Sequence, residues 1–136
     1  MAKVQVLAVL SLDGCLSERT DDACWALRPE SYDIDKWFDA ADYELTPVYP
    51  TSRLTENKSD SLSLIEATHD TSDYINGLLR LQLIDEIILY IVPFIAGTGH
   101  LLFKANLPTS HWNLTEKKEY NGGILHTVYR KKHTRE

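Results

Sequence analysis

The chain has 136 residues, 43% of them hydrophobic and 25% charged, a balance that suits one globular domain with a real core. Its formal charge is −6 and its basic residues do not cluster beyond Arg130-Lys131-Lys132, which excludes a nucleic-acid partner, since such a partner needs grouped cations against its phosphates. Two cysteines, Cys15 and Cys24, are too few for a disulfide framework, and no apolar run is long enough to cross a bilayer, so a cytoplasmic protein with reduced thiols and no membrane contact is expected.

Lys3 to Leu12 is mostly Val, Leu and Ala and predicts a central, buried strand. Ser11-Leu12-Asp13-Gly14 ends it in a turn. Residues 15–28 are polar and irregular, a loop whose one large apolar residue is Trp25. Pro29 to Ala41 predicts a helix: proline suits the first turn, and Ile34, Trp37, Phe38 and Ala41 share a face. The segment from Asp42 to Asp60 is rich in turn formers, with a short strand expected within Tyr43–Tyr49. Ser61 to Glu66 alternates, with Leu62 and Leu64 on one face, and predicts a short strand.

Asp70, Thr71 and Ser72 are N-cap candidates for the next helix, whose apolar stripe is Tyr74, Ile75, Leu78, Leu79 and Leu83. Asp85-Glu86 interrupts that pattern and predicts a joint. Ile87 to Ile95 is almost uniformly apolar and rich in β-branched residues, as a strand buried on both faces would be, with Pro93 near its end. Gly97-Thr98-Gly99 then predicts a turn at positive φ. Leu101–Phe103 fits a strand fragment or a turn. His111–Tyr120 and Ile124–Lys131 flank Asn121-Gly122-Gly123, a hairpin signal, with Trp112, Leu114 and Tyr120 expected to face Leu125, Thr127 and Tyr129. Arg130-Lys131-Lys132 reads as a solvated chain end. The order of strands and helices predicts one mixed α/β sheet with helices on its faces.

Asp13 stands at the C-terminal end of the first strand, where open α/β sheets place ligands. A carboxylate there suits a substrate amine or an amino-pyrimidine edge, or else a turn accepting its own amides. The histidines show no metal-ligand spacing, the serines lack a nucleophile-elbow context, and Gly97-Thr98-Gly99 is not a dinucleotide fingerprint.

Two segments carry a resemblance. LIDEIILYIVPFIAGTGHLLF at 83–103 and VLSLDGCLS at 9–17 resemble the dihydrofolate reductase-like superfamily, in particular the reductase domain of bacterial riboflavin biosynthesis. The resemblance implies one domain over 1–136 and a mostly parallel α/β sheet flanked by helices with a C-terminal antiparallel hairpin; an exposed sheet edge or that hairpin is expected to join a homodimer. It implies NADPH-dependent hydride transfer to a small molecule, a pteridine-like or ribosylamino-pyrimidine substrate. On the matching positions, Asp13 and Glu66 would orient substrate, and Val9, Trp25, Thr68, Thr71, Ser72 and Tyr74 would face the cofactor.

Val9 departs from that pattern, standing where the family has a small alanine. Two further departures favour a second reading. The glycines that let a backbone approach the pyrophosphate are replaced by Ala67 and Thr68, beside Asp70 and Asp73, whose charge opposes an anion. The link between Ala41 and Ser61 is short and offers one arginine, Arg53. The second reading is a catalytically inactive reductase-like domain, serving as a ligand-binding or dimeric structural module.

Overall fold

Lys3–Leu10 forms the middle strand, β1, and all but its first residue are buried. The computed structural model describes residues 3–16, 34–46, 61–93, 95, 97, 101–103, 107–120 and 123–132. Within these the order is β1, α1 (Asp35–Ala40), β2 (Tyr43–Glu44), β3 (Leu62–Glu66), α2 (Ser72–Arg80), β4 (Glu86–Ile91), β5 (Trp112–Tyr120) and β6 (Ile124–Lys131). The six strands make one sheet in the order β2-β3-β1-β4-β6-β5. Strands β3 and β4 both run parallel to β1, so the β3–α2–β4 connection crosses over it. The hairpin β5–β6 joins β4 antiparallel. The predicted mixed, mostly parallel sheet with a C-terminal hairpin is the observed one.

Alternation along β1 splits the core. Val4, Val6, Ala8 and Leu10 face α2 and meet Ile75 and Leu78, while Leu7 and Val9 face α1 and meet Ile34, Leu64, Ile88 and Tyr90. Burial of each of these Val, Leu and Ile side chains contributes about 1.5–3 kcal/mol. The stripe expected on α2 is the face that packs: Ile75 and Leu78 are buried, and Tyr74, Leu79 and Leu83 lie against the same cluster. Ile34, Trp37, Phe38 and Ala41 likewise meet the sheet. The helix expected over 29–41 is observed over 35–40, and residues 29–33 lie outside the described residues, as do those of the 43–49 segment beyond 46.

Helix α2 ends in a Schellman motif. The amide of Leu83 donates to Leu78 O at 2.9 Å and that of Gln82 to Leu79 O at 3.1 Å. Gln82 occupies the left-handed position with φ 58°, a place usually given to glycine. Asp85 then stitches β4 to β1: its amide donates to Val4 O, and its carboxylate accepts from Val4 N, each at 2.8 Å. The Asp85-Glu86 pair expected as a joint is therefore partly strand, since Glu86 opens β4 and is buried.

The hairpin corrects one expectation. Leu114 does oppose Tyr129, but the register shifts between Leu114 and Glu116, so that Tyr120 opposes Ile124. The bulge inserts one residue, Thr115, and turns the rest of β5 over. Tyr120 consequently packs towards α1 and stacks on Tyr90, away from the face that carries Leu125 and Thr127. Arg130 and Lys131 belong to β6, as the expected hairpin arm requires, and Arg130 and Lys132 are exposed.

Candidate active site

Because β1, β3 and β4 are parallel, their C-terminal ends share one edge of the sheet, and the turns that leave them meet there. The amide of Val92 donates to Leu10 O and that of Ala67 to Leu7 O, each at 2.8 Å, which ties the exits of β4 and β3 to β1. Ser11 is buried and organises the first turn. Its hydroxyl accepts from Cys15 N at 3.1 Å and donates to Asp13 Oδ1, and its carbonyl accepts from Gly14 N at 3.0 Å. Gly14 has φ 82°, which a side chain would strain. Cys15 is buried and unbridged, and it pairs with Leu101 across an isolated bridge.

Asp13 is exposed at this edge and spans two turns, its Oδ2 accepting from Gly97 N at 3.0 Å. Gly97 has φ 79°, as the sequence predicts. The carboxylate is thus held in place by the turn residues and presented at the strand ends. Glu66, the last residue of β3, is half-buried one strand away, opposite Leu7.

The turn from Glu66 into α2 is closed by its own side chains. Thr68 N donates to Thr71 Oγ1 at 2.8 Å, Thr71 N donates to Thr68 Oγ1 at 3.2 Å, and the Thr71 hydroxyl donates to Glu66 O at 2.7 Å. The Ser72 hydroxyl donates to His69 O at 3.4 Å, and Ser72 N to Thr68 O at 3.0 Å. Thr71 is the N-cap residue but makes no side-chain cap bond. The capping expected of these hydroxyls is therefore corrected: they fold the turn before the helix. Ala67 is buried in the α2-side core, and Gln82 is the sole non-glycine residue at positive φ among those described, so the 67–68 backbone carries no left-handed strain.

Val9 is 4% exposed and sits in the α1-side core beside Tyr90, its partner across β4. Tyr74 is half-buried against the α2-side cluster. Trp25 lies outside the described residues. The edge therefore gathers Asp13, Glu66, Thr68, Thr71 and Ser72, with Val9 beneath it in the core. The residues at 66–73 do not fit a dinucleotide diphosphate. The amides of Thr68, Thr71 and Ser72 are already bonded within the turn, and exposed Asp70 and Asp73 set negative charge at the positive end of α2.

Two polar clusters escape sequence reasoning. His126 is 1% exposed; its Nδ1 lies 3.2 Å from Leu89 O and its Nε2 2.7 Å from Glu116 Oε2, and its ring stacks on Tyr90 at 4.4 Å. Only the bulge at Thr115 puts Glu116 on the His126 face, and no sequence signal marks it. At the opposite sheet end, Glu86 is 5% exposed and gathers Lys3 Nζ at 2.7 Å, Gln5 Nε2 at 2.9 Å and Arg130 Nη2 at 3.5 Å. Burial favours its protonated form, but the hydrogen bonds from Lys3 and Gln5 and the charges of Lys3 and Arg130 outweigh that and hold it below its ordinary 4.5. Among the described residues no cluster of His, Cys, Asp and Glu is arranged to hold a metal ion.

Strand order, crossover and C-terminal hairpin define a dihydrofolate reductase-like α/β fold, the fold of the superfamily that the sequence resembles. No family model matches the sequence, and no curated protein does. Among solved structures, the chain is similar to a putative riboflavin biosynthesis protein from Shewanella sp. PV-4, with TM-score 0.70 and 14% identity over 96% of this chain and 99% of that one. It is similar to RibD of Acinetobacter baumannii, with TM-score 0.70 and 13% identity, and spans 59% of that longer chain. It is also similar to dihydrofolate reductase from Enterococcus faecalis, solved with NADP(H), with TM-score 0.62 and 10% identity over 96% of this chain and 97% of that one. At such identities the likeness is one of fold.

Proposed function

We propose that this chain is a reductase-like domain that takes a small, flat heteroaromatic ligand of the pteridine or ribosylamino-pyrimidine class at the C-terminal edge of β1, β3 and β4. The observation that carries this reading is Asp13, exposed at that edge and fixed by Ser11 and Gly97. A fixed carboxylate is suited to the adjacent amino and ring N–H donors of such a ring, in bonds worth about 1.5–3 kcal/mol. Glu66, on the neighbouring strand, is the second orienting group. The turn into α2 argues against a grip on dinucleotide phosphates, so the reading includes no hydride step.

The test is calorimetric titration of pterin and of a diaminopyrimidine into the wild type and Asp13→Asn. Saturable binding to the wild type, weakened about tenfold or more by the substitution, supports the reading. Equal binding to both proteins removes Asp13 from the site, and no binding at all removes the ligand class.

The second reading is the active enzyme, an NADPH-dependent reductase of the same substrate class. It is favoured by the match of the whole chain to the fold of a dihydrofolate reductase and a putative riboflavin biosynthesis protein. It requires the cofactor to be held by residues other than the 66–73 turn. Both readings include a cytoplasmic homodimer joined along the exposed edge strand β5, whose Leu114 is half exposed.

A further inference from the structure

At the sheet end away from Asp13, on the α2 face, lies a cavity of about 330 Å³. Its walls include Ile84, Ile87 and Leu89 from the start of β4 and its approach, Phe103, and Trp112 at the head of β5. The segment before Trp112 closes it and is pinned just past the end of β6, where Lys132 N donates to His111 O at 2.8 Å. The volume falls within the range of small-ligand pockets, roughly 300–1,000 Å³.

The charge at its mouth is one-sided. Lys131 and Lys132 line the cavity, and no Asp or Glu occurs among its described lining residues, although the chain carries −6 overall. The Lys131 ammonium donates only to neutral oxygens among the described residues, Gln82 O at 3.2 Å and Gln82 Oε1 at 3.3 Å. Gln82 is the residue held at positive φ, where glycine would cost less, so the chain keeps an amide oxygen beside Lys131 at a conformational cost.

We propose that this cavity is a second binding site, for a small amphipathic anion: a carboxylate or sulfonate on an aromatic or short aliphatic body. The body replaces water against Ile87, Leu89 and Trp112, and the anionic head sits at Lys131 and Lys132. The site is separate from the Asp13 edge and does not depend on what binds there.

The probe is anilinonaphthalene sulfonate, followed by its own fluorescence and by tryptophan quenching, with decanoate, naphthoate and decanol as competitors. The result expected is saturable one-to-one binding, displaced by both carboxylates and about tenfold less well by decanol. The double variant Lys131→Gln/Lys132→Gln, on exposed and half-exposed positions, should bind the probe about tenfold more weakly while melting like the wild type. Leu89→Phe, which narrows the cavity, should abolish binding. Absence of saturation overturns the proposal. So does an affinity that the lysine variant leaves unchanged, or decanol competing as well as decanoate. Probe binding that requires a dimer to dissociate would assign this face to a second copy and overturn the proposal too.

Discussion

Glu86 shows how one buried carboxylate is made tolerable. Its oxygens are matched by Lys3, Gln5 and Arg130, so that the ionised form is the favoured one inside the fold. The unfolded chain takes up this proton at a higher pH than the folded chain does. Glu86 therefore stabilises the fold above about pH 4.5, and that contribution is lost as pH falls through its lower folded value. Urea unfolding across this acid range should show a steeper loss of stability in the wild type than in Glu86→Gln. The variant should itself be destabilised at neutral pH by about 1–3 kcal/mol, since the buried amide that replaces the carboxylate loses the charge-assisted bonds to Lys3 and Arg130. Parallel pH curves for the two proteins would contradict the assignment.

Helix α2 is anchored by a side chain that its apolar stripe does not reveal. Asn76 is 1% exposed, and its Nδ2 donates to Ser72 O and to Leu102 O, each at 2.7 Å. It locks the helix to the segment that follows the glycine turn. Asn76→Ala leaves the buried carbonyl of Leu102 without this donor and should cost about 1–3 kcal/mol in chemical unfolding. A loss below a few tenths would mean that the tie is dispensable. The edge strand β5 makes a different prediction. Its outer backbone is unpaired with any described strand, and Leu114 is 49% exposed, so the dimer reading expects sedimentation as a dimer that Leu114→Lys weakens. A monomer at high concentration would remove that part of the account.

Across the whole molecule, what the sequence reveals follows periodicity. The buried strands β1 and β4, the stripe of α2 and the hairpin are legible because each repeats a pattern over several residues. The reductase-like fold follows from two motifs at 9–17 and 83–103. The candidate site is legible at Asp13, because a strand end and a glycine turn mark it, and at Glu66. What stays hidden depends on single irregularities or on distant segments meeting. The Thr115 bulge decides which face Tyr120 and Glu116 take. The apolar cavity exists only because the end of α2, the start of β4 and the end of β6 converge, so Lys131 reads as tail in sequence and as rim in the structure.

The turn at 67–73 bears most on what the protein does. Ala67 and Thr68 stand where the resembled family has glycines, and Thr68 is bonded to Thr71 within the turn, so amides that a phosphate would need are already taken. The most direct test titrates NADPH into the pure protein by calorimetry, beside Ala67→Gly/Thr68→Gly. The account predicts no heat from the wild type up to millimolar cofactor, and a measurable gain in affinity in the double variant. Saturable micromolar binding to the wild type would contradict it, and would favour the reading as an NADPH-dependent reductase that holds its cofactor elsewhere.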